Sequence, residues 1–215
     1  MSIDAKVHAT HFQLDGVGYY RARAESVQLG DVGAKMMHGL AVQASVPRHE
    51  LRIARALQVD LHRVALGAGD VGAGITVPGV GSLRPAALAC QLEDQTLSLV
   101  KLECSPKDIV AAANGSPAVI AALVCAGNAG RLVHQAFVIL EMKTALNFTR
   151  SVRFDVSGGV ESWTITGSSG GSRTALTITP GTTFAYLLLE PKWDAKGQEM
   201  RNRIDDWEDD ALSLQ

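Results

Sequence analysis

The sequence predicts an α+β fold: a twisted, mainly antiparallel β-sheet with long hairpins, covered by short helices and followed by a C-terminal amphipathic helix. Three observations predict it. Residues 51–77 and 146–166 alternate apolar and polar side chains with a period of two, which suits half-buried strands. Between them, Thr96 to Met142 reads as strand, two short helices, strand. After Lys192 the period changes: Met200, Ile204, Trp207, Ala211 and Leu214 recur at helical spacing and form one apolar stripe.

A chain of 215 residues with 47% hydrophobic content has enough apolar surface for a real core, and its length suits one domain or one domain with a tail. We divide it at residues 1–193 and 194–215. The net charge of −2 argues against nucleic acid as a partner. That charge is unevenly spread: residues 194–215 carry −4 and the remainder +2. MSIDAKVHATHFQLDG lacks the apolar core of a secretory signal. The longest apolar run, 118–127, is well short of the roughly 20 residues of a spanning helix. A cytoplasmic location is the expectation. Cys90, Cys104 and Cys125 have neither disulfide nor metal spacing and read as small buried hydrophobes.

Taken in order, residues 1–46 allow no firm assignment beyond a turn at Gly16–Gly18 leading into a strand, with Met36 and Met37 read as core filler. Leu51, Ile53, Leu57, Val59 and Leu61 fall on one face of a long strand, with Arg52, Gln58, Asp60 and His62 on the other. A return strand is placed at Ile75–Val77, before Pro78. Leu97 to Leu102 is a strand that stops at Ser105-Pro106, a helix-start signal repeated at Ser116-Pro117. The helices end at Asn114-Gly115 and Gly127, and 136–142 is a buried strand. Leu146, Phe148, Val152, Phe154 and Val156 form the next apolar face. Gly158-Gly159 turns the chain into a strand carrying Trp163 and Ile165. Gly167 to Ser172 reads as a flexible loop, and Pro180-Gly181 as a turn between two further strands.

Catalytic signatures are missing. Gly67, Gly69 and Gly72 match G-x-G-x-x-G, but Pro78, Gly79 and Gly81 exclude the helix that a nucleotide phosphate needs there. A glycine-rich hairpin tip is the better reading. The six histidines lack ligand spacing, and no serine or cysteine sits in a nucleophile motif. No enzyme activity, metal or cofactor is expected. Arg48, Arg52, Arg55 and Arg63 cluster along the first long strand and are candidate contacts to an anionic lipid surface, worth about 1 kcal/mol each. The bland reading of the same four is a solvated face.

Two segments carry a family resemblance. In the first, residues 95–150, a strand ending in LECSPKDI is followed by short helices and then by HQAFVILEMKTALNFTR. In the second, residues 175–191, ALTITPGTTFAYLLLEP resembles a turn leading into a strand that begins with an AYR-like pattern. Together they resemble the pore-forming domain of the gasdermin family. The resemblance implies a soluble form held by a C-terminal repressor and freed by a protease. The freed part would bind acidic lipids at the inner face of the cell membrane, form a homo-oligomer, and insert two β-hairpins as a barrel that kills the cell. It is closest in plan to compact bacterial members with a short inhibitory peptide, although no cysteine precedes Cys90 as a lipid attachment point.

On this reading the stripe of Met200, Ile204, Trp207, Ala211 and Leu214 is the inhibitory face, and Asp194, Lys196, Arg201 and Arg203 lie in the cleavage region. Leu51, Ile53, Leu57, Val59, Leu61, Phe148, Val152, Phe154, Val156, Trp163 and Ile165 belong to the membrane-inserting strands. The rival expectation is a non-catalytic interaction or assembly subunit whose C-terminal helix docks on a partner. An enzyme using the Gly67–Gly72 loop ranks last.

Overall fold

A computed structural model describes residues 5–8, 10–61, 65–66, 75–77, 81–83, 97–140, 146–148, 150–158, 162–179, 181–193 and 203–212. The N-terminal region, where the sequence shows little periodicity, supplies five strands: β1 (Ala5–Val7), β2 (His11–Leu14), β3 (Val17–Tyr20), β4 (Asp31–Met36) and β5 (Gly39–Ser45). Asp15 and Gly16 turn β2 into β3, both with positive φ, as expected around Gly16. Met36 and Met37 are not core filler. They sit at the turn between β4 and β5, and Met37 is 83% exposed.

The first long strand is β6 (Ile53–Leu61), followed by β7 (Ala65–Leu66), β8 (Ile75–Val77) and β9 (Gly81–Leu83). Ile75–Val77 pairs with Gly81–Leu83 as a small hairpin, not back onto β6. The glycines of the G-x-G-x-x-G match lie outside the described residues.

The best-marked unit in the sequence forms in the expected order, strand, two helices, strand: β10 (Leu97–Cys104), α1 (Pro106–Asn114), α2 (Pro117–Ala126) and β11 (Gly130–Ile139), although β11 begins at Gly130, ahead of the Ala136 expected, and ends at Ile139. Proline at the first turn starts each helix, while the hydroxyls of Ser105 and Ser116 make no capping bond. Cys104 is buried, and its thiol pKa is pushed up to about 12 by burial. Cys125, by contrast, is exposed.

The chain then forms β12 (Arg153–Gly158), β13 (Trp163–Ser169), β14 (Ser172–Ile178), β15 (Thr183–Trp193) and β16 (Ile204–Asp210). Gly170 and Gly171 make a two-residue turn with φ of 55° and 84°, so the glycine-serine tract is a tight hairpin where a flexible loop was expected.

Eleven strands share one sheet, in the order β5-β4-β11-β15-β3-β2-β1-β7, with β10 on β11, β6 on β10, and β16 on β15. β11 and β15 are its spine, and β11 is buried along nine of its ten residues. β12, β13 and β14 form a separate three-stranded sheet. Its apolar residues Trp163, Ile165, Leu176 and Ile178 join one core cluster with Val110, Val119 and Leu123 of the helices and Val100 and Leu102 of β10. Burying a side chain of this size stabilises by about 1.5–3 kcal/mol. The small sheet and the helices are therefore both held on the large one by apolar burial.

The C-terminal helix does not form over the described residues: Ile204–Asp210 is a strand on the edge of β15. A helix would set Asp205 against Glu208 and Asp209, and Asp206 against Asp209 and Asp210. Like charges at those spacings destabilise a helix. An edge strand sends most of these carboxylates into water and gains a backbone ladder.

Candidate functional site

The most elaborated surface is the edge of β15 that holds residues 203–212. β16 runs antiparallel to β15, from Trp193 opposite Ile204 to Leu188 opposite Asp210. Its anchors come from the ends and middle of the segment. Ile204 is 2% exposed and belongs to the main core cluster. Its peptide is also gripped by a side chain: Ile204 N donates to Asn114 Oδ1 at 2.8 Å, and Asn114 Nδ2 donates to Ile204 O at 2.9 Å. Asn114 is the last residue of α1, so the helix end holds the start of the strand. Trp207 packs half-buried against the same core.

At the far end, Asp210 enters a cationic notch. Lys35 Nζ of β4 donates to both carboxylate oxygens, at 2.7 and 2.8 Å, and Arg131 Nε of β11 donates to Oδ2. Tyr20 Oη of β3 approaches within 3.5 Å. One carboxylate thus ties together three strands distant in sequence. Arg131 is shared with Glu190 at 2.9 Å, and Leu212 N donates to Gly18 O at 3.0 Å. Leu212 itself packs on the cluster of Tyr20, Val27, Leu40 and Tyr186. Lys192 reaches Glu208 at 3.2 Å, but an exposed pair of this kind adds little.

The electrostatics follow from the packing. Burial alone raises the pKa of Asp210, yet the hydrogen bonds from Lys35 and Arg131 outweigh it and hold the carboxyl below its usual range. Burial opposes the charge of Lys35, and the bond to Asp210 turns its shift upward. Beneath the strand, His134 is the extra residue of a bulge in β11 and is 1% exposed. Its Nε2 lies 3.2 Å from Asp209 Oδ1 but out of line for a hydrogen bond, and its Nδ1 has no hydrogen-bond partner. Burial pushes its pKa down, more than Asp209 and Glu103 raise it.

A pH prediction follows. Burial in the native site disfavours the charged form of His134, so its contribution is complete above the unfolded value of about 6.5 and declines as pH falls below it. Asp210 adds a second loss as pH falls through its depressed native pKa, below about 3.9. Hydrogen exchange of the 204–210 amides is expected to show both steps. His134→Leu removes the first step only. Identical pH profiles for the two proteins would contradict the assignment.

The structure distributes the other sequence candidates widely. Arg48 is not a lipid contact: it is 7% exposed and bonded to Leu29 O, Gln28 Oε1 and Asp31 Oδ1, with its guanidinium 5.2 Å from the centre of the Trp163 ring. Arg52 is exposed and donates to His49 O and Leu51 O. Arg55 is exposed, opposite Glu103 in the ladder, and Arg63 lies outside the described residues. Leu51 is buried ahead of β6, Ile53 and Val59 are buried in it, and Leu57 is 41% exposed. A bulge at Ala54 breaks the single apolar face expected there, and the side chain of Leu61 is not described.

Phe148 and Val152 are not in a strand: Phe148 is buried in a helical turn at 146–148 and Val152, 83% exposed, lies in a bend before β12, while Trp163 and Ile165 are buried and Phe154 and Val156 pack against the core. Of the inhibitory stripe, Ile204 and Trp207 contact the body while Ala211 is exposed. Met200, Leu214, Asp194, Lys196 and Arg201 lie outside the described residues. Arg203 is exposed at the edge of the docked segment. Sequence reasoning missed Asn114, Lys35, Arg131 and Tyr20 as parts of a site. Only Asp210 carried a signal, as one of the acids of residues 194–215.

A cleft of about 320 Å³ beside α1 is lined by Glu50, Arg52, Asp108 and Ser116. Among the described residues no three metal-ligating side chains come together, and no single helix is long and apolar enough to cross a membrane. Compared with models of known families, with curated proteins and with solved structures, the chain matches none.

Proposed function

We propose that this chain is a gasdermin-like pore-forming protein, silenced by residues 203–212 and activated when a protease cuts before them. The observation that carries the reading is the mode of attachment of that segment. It adds one edge strand to a sheet, is gripped by side chains from α1, β4 and β11, and carries the negative charge that a mildly basic body lacks. Such a segment is built to be held and is separable by one cut in 194–203, where Asp194, Lys196, Arg201 and Arg203 offer acidic and basic cleavage points.

Two features support a membrane role for the body. β6 spans nine residues and pairs along β10, a length that suits the roughly 9–11 residues of a membrane strand. In lipid, strands persist only as a closed barrel, which requires a homo-oligomer here. Among the described residues of the arginine cluster, the exposed Arg52 and Arg55 are the candidate contacts for anionic lipid. On this reading the protein waits in the cytoplasm and acts at the inner face of the membrane. Cells expressing a chain shortened before residue 194 are expected to lose membrane integrity, whereas the full chain is tolerated. A shortened chain that folds and leaves cells growing favours the interaction subunit instead.

A further inference from the structure

We propose that Asn114 is a modification site guarded by the docked strand: its side chain stays an amide while residues 203–212 are seated, and converts to aspartate or isoaspartate once they leave. The chemistry belongs to the Asn114-Gly115 pair. Gly115 N attacks Asn114 Cγ, a new N–Cγ bond closes a succinimide, and the side-chain nitrogen departs as ammonia with the proton from Gly115 N. Water then opens the ring at either carbonyl: attack at Cγ restores the main chain and leaves a side-chain carboxylate, whereas attack at the main-chain carbonyl reroutes the chain through Cγ and leaves the carboxylate on Cα.

The docked state blocks the first step. Both ends of the Asn114 amide are occupied by the Ile204 peptide, at 2.8 and 2.9 Å, and Gly115 N donates to Ala111 O at 3.1 Å. The electrophile is aimed at the tail and the nucleophile at the helix. Departure of the strand frees the electrophile; the Gly115 N–Ala111 O bond belongs to the end of α1, and the nucleophile is freed when that water-exposed end frays.

Glycine at 115 is not imposed by the backbone. Its φ is −75° and its ψ −10°, and an added Cβ would meet only Ala112 O at 3.4 Å and Ala111 O at 3.7 Å. What glycine does supply is an unhindered nitrogen beside an asparagine.

The product would act as a latch. A carboxylate at 114 still accepts from Ile204 N but has no donor for Ile204 O, so two oxygens would face each other where 2.9 Å now separates donor from acceptor. The new charge would also lie at the start of a strand that carries Asp205 and Asp206. Reseating is disfavoured, and release becomes one-way. The idea shares with the proposed function only the departure of the strand. It needs no membrane, so each can fail alone.

The test uses the full chain in mildly alkaline buffer, with peptide mass mapping of residue 114. The wild type is expected to keep its amide. Asp210→Ala, which loosens the strand, is expected to convert about a hundredfold faster, the factor that about 3 kcal/mol of lost docking gives. Adding Gly115→Ala to that variant should stop conversion. Asn114→Asp should expose the bond after Arg203 to trypsin about tenfold faster. Hydrogen exchange of the β10 and β11 amides reports whether the body remains folded, and Lys35→Ala replaces Asp210→Ala if it does not. Equal conversion in wild type and a folded loosened variant overturns the proposal, as does unchanged trypsin cleavage of Asn114→Asp.

Discussion

Replacing Asp210 with alanine is expected to weaken the hold of residues 203–212 by about 3 kcal/mol, the low end of what removing one partner of a buried pair costs. The carboxylate is 12% exposed and the Arg131 side chain 9%, so neither charge is well solvated. Lys35 is 32% exposed and recovers part of its hydration, which keeps the figure at that low end. The variant leaves Arg131 with Glu190 alone and removes the one group that joins β3, β4 and β11 to the tail. The measurable result is faster hydrogen exchange across 204–210 and faster cleavage at Arg203, with the body still folded. Asp210→Asn, which keeps one acceptor and the shape, should lie between. Unchanged protection in the alanine variant would mean that the backbone ladder alone holds the strand.

Arg48→Ala is expected to destabilise the whole body, by about 3–5 kcal/mol. The guanidinium is enclosed by Leu29 O, Gln28, Asp31 and the Trp163 ring, and so joins the loop before β4 to the small sheet. Its loss strands Asp31, which is 4% exposed and whose pKa burial already raises against the bonds from Ser45 and Arg48. A loss of that size is a large part of the stability of an ordinary domain. The denaturation midpoint should fall sharply for Arg48→Ala and stay within about 0.5 kcal/mol for Arg52→Ala, an exposed neighbour. Equal, small effects would restore Arg48 to the surface role its position suggests.

The contrast between these arginines marks how far the sequence is legible. The β10-α1-α2-β11 unit can be read because Ser-Pro and Asn-Gly punctuate it, but the start of β11 is hidden because Arg131, His134 and Gln135 interrupt its apolar run. The β2–β3 turn is as clear, since Asp15-Gly16 is local turn chemistry. Arg48 reads as a surface charge because its partners, Asp31 and Trp163, are set by tertiary packing and leave no trace in spacing. Met36 and Met37 were misjudged for the converse reason: an apolar pair reads as core until a hairpin turn places it outside.

Residues 204–211 were the main failure of period. Ile204, Trp207 and Ala211 fit a helix, and on a regular strand Ile204 and Trp207 would point to opposite sides; a bulge at Asp205 brings both onto the core side, where Ile204 is buried and Trp207 packs half-buried. The competing signal was the run of acids, whose mutual repulsion disfavours the helix. The open edge of β15 then decided the matter, and that edge is invisible in one dimension. The candidate site was legible only as a charge difference between tail and body. Its working residues, Asn114, Lys35, Arg131 and Tyr20, come from four elements that only the fold brings together.

We propose that residues 203–212 restrain a membrane-active body. Dye release from anionic vesicles tests it most directly, comparing the full chain, the same protein cut after Arg203, and a version ending near Lys192. Release only after the segment is cut or removed is the predicted result. A shortened protein that remains folded and leaves the vesicles sealed would contradict the account.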